Sequence, residues 1–263
     1  MPQLAVTLPP SLACDVQDQV AVLRLARPQK RNAIDDTMIA GIAACFAALP
    51  AETRAVVVHG EGEHFCAGLD LGSVTENDAT EGIFHSRAWH RAFERIESGD
   101  VPVIAVLHGA VIGGGLELAA ACHIRIAEPS AYYALPEGQR GLFVGGGGSV
   151  RVPRLIGTAR MLDMMLTGRT YGAEEGLAAG FAQYLVEAGT GLERAMAMAR
   201  HITGLAPLSV FAVLHALPRI AEADPRTGAL MENLMAAIAA ADPDAKERLR
   251  AFLDKRAAKV TRP

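Results

Sequence analysis

The spacing of apolar and polar positions changes period several times along the first two thirds of the chain. Gln19–Leu25 alternates with a period of two and predicts a strand, Thr37–Leu49 is Ala-rich with helical spacing, and Arg54–His59 is a short β-branched run closed by Gly60. Strand, helix, strand is the rhythm of a βαβ unit. A loop follows around Gly62–Gly72. Next comes a helix near Glu81–Ser98, where Phe84, Trp89, Phe93 and Ile96 recur at spacings that put most of them on one face. Pro102 opens a strand at Val103–His108, Gly113–Gly115 leads into a small-residue helix at Leu116–Ala121, and extended segments are expected at His123–Ala127 and Tyr132–Leu135. From about Ala159 the strand pattern gives way to helices near Ala159–Leu166, Ala173–Ala179, Leu192–Thr203, Ser209–Ala221, Arg226–Ala240 and Asp244–Lys259. Pro207, Pro218, Pro225 and Pro243 fall at helix boundaries, where proline is tolerated, and Asp242-Pro243-Asp244 is a good helix start. No internal repeat or linker interrupts the pattern.

Composition narrows the class. The 263 residues suit one large domain or a core with an appendage, and 51% hydrophobic against 21% charged residues supplies an ample core and excludes wholesale disorder. Lys plus Arg number 25 against 29 for Asp plus Glu, a formal charge of −4, so there is no electrostatic footprint for nucleic acid and the expected partner is a small molecule. Cys14, Cys45, Cys66 and Cys122 form no C-x-x-C pair, which points away from zinc and from a disulfide framework and towards a reducing compartment. Met1–Pro10 has neither a basic region followed by an apolar one nor any Arg, and no apolar run approaches the roughly 18 residues that span a bilayer. A cytoplasmic protein that does not enter a membrane is the expectation.

Three segments are candidates for chemistry: His64-Phe65-Cys66-Ala67-Gly68-Leu69-Asp70-Leu71, Gly109 through Glu117, and Ala134-Leu135-Pro136-Glu137 leading to Gly145-Gly146-Gly147-Gly148. A glycine cluster opening a helix presents backbone N–H groups that lack helical acceptors, but it serves equally well as a tight packing turn. Gly113–Gly115 is not G-x-G-x-x-G, and Glu117 in the first helical turn would repel a pyrophosphate, which disfavours a nucleotide loop. Taken alone, Glu117 reads as a carboxylate favouring the positive end of a helix and Glu137 as a solvated loop residue. Together, beside two glycine-rich turns, they read as a general acid and base around an oxyanion held by backbone N–H groups.

These residues resemble the enoyl-CoA hydratase/isomerase, or crotonase, family. The resemblance runs from Arg27-Pro28-Gln29-Lys30-Arg31-Asn32-Ala33, similar to the family's RPxxxNA turn, through Phe65-Cys66-Ala67-Gly68-Leu69-Asp70 and Gly113-Gly114-Gly115-Leu116-Glu117-Leu118-Ala119 to Leu135-Pro136-Glu137 and Pro153-Arg154-Leu155-Ile156-Gly157. It implies an α/β fold, a crotonase-like (ClpP/crotonase) β/α spiral core at residues 1–200, with a C-terminal α-helical subdomain at 201–263 for trimerisation and active-site cover. It further implies a homotrimer or dimer of trimers, and a CoA thioester substrate with no separate cofactor and no metal. The implied oxyanion hole is the N–H of Leu69 and of Gly114, and Glu117 and Glu137 match the two hydratase glutamates. Lys30, Ala67, Asp70, Leu71 and Gly145 are the implied contacts to the substrate and its CoA. The pair of glutamates favours hydration of a trans-2-enoyl-CoA, as in fatty acid β-oxidation. The alternatives are a 3-enoyl to 2-enoyl-CoA isomerase, which needs one carboxylate, and a non-catalytic homologue binding acyl-CoA or RNA.

Two departures from the family pattern stand out. Val144 replaces the proline of a common PGxGG segment, and the aromatic residue that often follows the terminal FLEKR is absent after Phe252-Leu253-Asp254-Lys255-Arg256. Among the remaining residues, His64 reads as a surface or supporting histidine, and His85, His90, His108, His123, His201 and His215 lack ligand spacing. Cys66 has no evident base and reads as packing. Lys30 and Arg31 fit either CoA phosphates or a solvated basic turn.

Overall fold

The computed structural model describes residues 4–73 and 78–254. Its first strands, β1 (Leu12–Gln17) and β2 (Val20–Leu25), form an antiparallel hairpin in which Gln17 faces Val20. The connecting Asp18 and Gln19 have φ of 49° and 66°, the left-handed pair whose twist suits a two-residue hairpin turn. The alternation did not predict β1. Val16 is its sole β-branched residue and the turn carries no glycine, so pairing with β2 is what makes it a strand.

The predicted βαβ rhythm then follows. Helix α1 (Asp36–Ala47) starts on Asp35, whose side chain accepts the Met38 N–H, and leads to β3 (Ala55–Gly60). Helix α2 (Ala79–Glu97) starts on a reciprocal capping box between Asp78 and Glu81. After it come β4 (Val103–Leu107), β5 (Ala110–Ile112), α3 (Gly114–Ala121), β6 (Ile124–Ala127) and β7 (Tyr132–Ala134). Helix α4 (Gly148–Ile156) was not legible in the sequence, because it opens on glycine and contains Pro153. It forms by burying Arg151, Val152 and Ile156. Beyond α5 (Thr158–Thr167) the chain makes β8 (Tyr171–Gly172), α6 (Ala173–Ala179), β9 (Tyr184–Leu185) and α7 (Gly191–Thr203). The two-residue strands are too short to carry a period.

One sheet runs β1-β2-β3-β4-β6-β9, parallel from β2 onward, and a smaller one runs β5-β7-β8. Alternate residues of β3 and β4 go to opposite faces. Val56, Val58, Val103, Ala105 and Leu107 join the core with α1, α2 and α3, while Ala55, Val57, Ile104 and Val106 pack with Ala195 and Ala199 of α7. Burial on both faces is why Ala55–Val58 and all of β4 are apolar.

The chain divides into two compact units, Met1–Thr203 and Gly204–Pro263. In the second, α8 (Pro207–Phe211) passes through a π-helical turn at Ala212–Ala216 into α9 (Leu217–Glu222). The π turn lies just ahead of Pro218, which has no N–H for the carbonyl of Leu214. Helices α10 (Pro225–Ala241) and α11 (Pro243–Leu253) are capped by Asp224 and Asp242. The rest of the expected final helix, to Lys259, lies outside the described residues, as do Lys255 and Arg256. Among the described residues no single helix is long and apolar enough to cross a membrane.

Asn32 ties the basic turn to the segment ahead of the candidate site. Fully buried with φ 56°, it accepts the Arg27 N–H at 2.9 Å and donates to the carbonyls of Glu61 and His64 at 2.9 and 2.7 Å. Asn32→Ala strips these bonds inside the protein and leaves a Cβ residue in the left-handed region, for an expected loss of about 2–4 kcal/mol. Asn32→Gly, relieved of the backbone strain, should lose less. Urea unfolding checks both, and a loss below about 1 kcal/mol in the alanine variant would refute this role.

Candidate active site

The segment Cys66–Asp70 is pinned from both sides. Cys66 donates to Ala110 O at 2.9 Å and accepts from Ile112 at 3.1 Å, while Gly68 O accepts from Ile34 and Ile34 O from Asp70, both at 2.8 Å. Across from it, the Gly113 N–H is taken by Ala134 O at 2.9 Å, and Gly113 O accepts from Glu117 at 2.9 Å. The peptide N–H groups of Leu69 and of Gly114, like those of Gly115 and Leu116 behind it, meet no acceptor among the described residues. For Gly114 the cause is its place as the first residue of α3, where no earlier helical carbonyl exists.

Glycine lets the Leu69 and Gly114 donors approach. A Cβ on Gly68, whose φ is 91°, would lie 2.7 Å from Ile112 O and 3.2 Å from the Gly114 nitrogen. A Cβ on Gly114 would lie 3.5 Å from the Leu69 nitrogen and 2.6 Å from the Trp89 ring. Leu69 and Gly114 both line a cavity of about 460 Å³, with Ala67, Leu71, Glu117, Glu137 and Gly145 and together with His85, Ser86, Trp89, Leu142 and Phe143.

The two glutamates differ in their surroundings. Glu117 is 3% exposed, and its Oε1 accepts from Gly146 at 2.8 Å and Gly148 at 2.7 Å. Burial raises its pKa above the ordinary carboxylate value, and those N–H groups, His90 and Arg151 pull against the rise. Glu137, at the start of a short 3-10 turn (Glu137–Arg140), is half-buried, and its Oε2 has no hydrogen-bond partner among the described residues. Burial, and secondarily the charge of Glu117, push its pKa up to about 7. One carboxyl therefore has donors suited to an anion, and the other is poised to carry a proton.

Of the five residues implied as substrate contacts, Ala67, Leu71 and Gly145 line the cavity, and Lys30 and Asp70 do not. The Asp70 carboxylate instead meets Arg27 at 2.9 Å, the Gly72 N–H at 3.1 Å and Lys30 at 3.7 Å, and the Arg27 hydrogen bond holds its pKa below the usual range. Cys66 is buried, and desolvation pushes its thiol up to about 12, so it packs rather than attacks. His64 braces the loop, its Nδ1 accepting the Ala110 N–H at 3.0 Å. Among the described residues no group of His, Cys, Asp and Glu is arranged to hold a metal.

Sequence reasoning missed the wall contributed by α2 and by Leu142 and Phe143, and singled out only the neighbouring Val144. Helical periodicity marked Trp89 as buried but carried no sign of its chemistry. Ser86, whose Oγ donates to Gly145 O at 2.6 Å, gave no signal at all.

The sequence pattern of the enoyl-CoA hydratase/isomerase family matches residues 15–262. The short-chain-enoyl-CoA hydratase of Clostridium acetobutylicum is 30% identical, over 91% of this chain and 93% of its own. A provisionally named enoyl-CoA hydratase from Rhodopseudomonas palustris CGA009 superposes with a TM-score of 0.93 at 58% identity, over 97% of this chain and 100% of that one. The enoyl-CoA hydratase structure from Bacillus anthracis gives 0.87 at 30% identity, over 93% and 96%. With the family pattern spanning nearly the whole chain and these structures sharing its architecture, the protein belongs to the enoyl-CoA hydratase/isomerase family and has the crotonase fold, a mixed α/β core with a helical C-terminal region.

Proposed function

We propose that the protein hydrates trans-2-enoyl-CoA thioesters. The observation that carries this reading is the convergence, on one cavity, of two unpartnered peptide N–H groups and two carboxyls in different electrostatic environments. The thioester oxygen accepts from Leu69 and Gly114, and each such donor contributes on the order of 3 kcal/mol once charge develops on the oxygen. Ionised Glu117 takes a proton from water as the water oxygen bonds to C3. The C2–C3 π electrons move towards the thioester oxygen as an enolate. Neutral Glu137 gives its proton to C2, leaving a 3-hydroxyacyl-CoA, and proton exchange with solvent resets the two carboxyls. The CoA portion enters as substrate, and no step calls for a metal or a separate cofactor.

The C-terminal unit supports a further part of the reading, assembly as a trimer or dimer of trimers. Leu230, Leu234 and Ile238 form an exposed i, i+4, i+8 stripe on α10, and Phe211 and Leu217 are also exposed. Light scattering at micromolar concentration should give three or six times the chain mass, and a monomer would refute it.

Glu117→Gln and Glu137→Gln should each lower hydration about 10²–10⁴-fold. Glu117→Gln should keep some 3-enoyl to 2-enoyl isomerisation, which needs one proton shuttle. In the wild type, kcat/KM should fall as pH rises through about 7, where Glu137 loses its proton. Absorbance of the conjugated thioester follows both reactions. Full hydration by Glu117→Gln would refute the mechanism, and a wild type that isomerises without hydrating would favour the isomerase.

Stability provides a readout independent of turnover. The folded pKa of Glu137 lies above its ordinary 4.5, so the folded chain binds more protons than the unfolded chain between 4.5 and about 7. Its contribution is full below that window and lost as pH rises through it. Glu137→Gln should therefore melt above the wild type at pH 8 and close to it at pH 5, and equal melting temperatures at pH 8 would contradict the raised pKa.

A further inference from the structure

The glycine run that binds Glu117 is held from outside the cavity. Arg151, only 9% exposed, donates from Nη1 to Gly146 O at 3.0 Å, while its Nε and Nη2 each lie 2.8 Å from Oε2 of Glu97 at the end of α2. Neither Arg151 nor Glu97 lines the cavity. The carbonyl that Arg151 grips lies in the chain between the two N–H groups that converge on Glu117. Glycine is required at each place: a Cβ on Gly146 would lie 2.9 Å from the Phe93 ring, and one on Gly148 would lie 2.8 Å from Glu117 Oε1. At Gly147, with φ 95°, a Cβ would collide with the Arg151 guanidinium.

We infer that Arg151 and Glu97 form a positioning pair for Glu117, in which the guanidinium fixes the glycine run against the carboxylate and Glu97 sets how much of its positive charge Glu117 feels. The inference rests on the hydratase reading only for the role of Glu117 as proton acceptor. Three ionisable groups act on that carboxylate: His90 from α2, Arg151 from α4 and Glu137 from the 3-10 turn. His90 and Arg151 favour its charged form, and Glu137 opposes it once ionised. Glu97 lies behind Arg151 and offsets part of its field.

Removing either partner therefore displaces the titration of Glu117 in opposite directions. Arg151→Met deletes the positive charge and leaves Glu97 unbalanced, which disfavours the Glu117 anion. Glu97→Gln keeps an acceptor for Arg151 and frees its full charge, which favours that anion. A packing defect alone has no reason to produce opposite signs.

The test labels the glutamates of the full chain with ¹³C at Cδ and assigns Glu117 by the signal lost in Glu117→Gln. Titrated without substrate, Arg151→Met should raise the pH midpoint of Glu117 by about 1 unit, and Glu97→Gln should lower it by less. For hydration of a trans-2-enoyl-CoA, Arg151→Met should lower kcat roughly 10–100-fold with KM within about threefold. Arg151→Lys should restore the midpoint but only part of kcat, since an ammonium lacks the planar fork. Midpoints that stay put in both charge variants, or move together, with unchanged circular dichroism would overturn the inference. If Arg151→Met does not fold, Glu97→Gln carries the test, and a midpoint that fails to fall overturns it. If the wild type hydrates no enoyl-CoA yet the midpoints split as expected, the positioning role stands and the hydratase reading fails.

Discussion

A carboxylate inside a protein must find hydrogen-bond donors there, because the water that would have solvated it is gone. Glu117 meets this demand with peptide N–H groups from Gly146 and Gly148, residues about thirty positions away. Much of the architecture follows from that contact. It requires α3 to carry Glu117 inward in its first turn and residues 145–148 to lie close against that helix. It also requires side chains to be absent where the two meet. The glycines are shaped by what surrounds them: the Phe93 and Trp89 rings, the carboxylate and the Arg151 guanidinium occupy the space a Cβ would need.

The opposite condition creates the other half of the site. Leu69 and Gly114 keep N–H groups with no acceptor among the described residues because each neighbouring peptide is already committed, Cys66 and Gly68 O to strand-like bridges and Gly113 to Ala134 and Glu117. Preorganised donors of this sort need no rearrangement when charge appears on a bound oxygen. Glu137 extends the same logic, since its Oε2 is buried without a partner among the described residues and burial makes the carboxyl harder to ionise. Unsatisfied groups held in place by a fold are a source of both reactivity and instability.

Lys30 and Asp70 lie outside the lining of the cavity. Asp70, together with Arg27, Asp35 and Lys30, forms an ionic cluster beside the cavity instead of a wall of it. Arg27 also reaches Ala33 O at 2.8 Å, so the basic turn is held by its own neighbours. The turn is also tied to the Leu69 segment through its backbone, Arg31 O accepting from Ala67 at 3.0 Å.

Period-two and helical spacing by themselves determined the βαβ rhythm, the buried central strands and the capped helices, because burial on a defined face leaves a local pattern. The motif glycines were legible for a related reason, since left-handed and crowded backbone positions such as Gly68, Gly113 and Gly114 tolerate few other residues, whereas Glu117 and Glu137 stood out only in combination and through the family resemblance. β1 was not legible because its strand character comes from its partner, and α4 was not because tertiary burial overrides its glycine and proline. Also beyond reach were the donors to Glu117, the cavity wall from α2 and the Arg151–Glu97 pair. Residues 97, 117, 146 and 151 have no periodic relation, and only the packing of α2, α3 and α4 brings them together. Charge states depend on that packing as well: Glu117 and Glu137 are the same residue type, and their difference arises from which peptide groups and charges the fold sets around each.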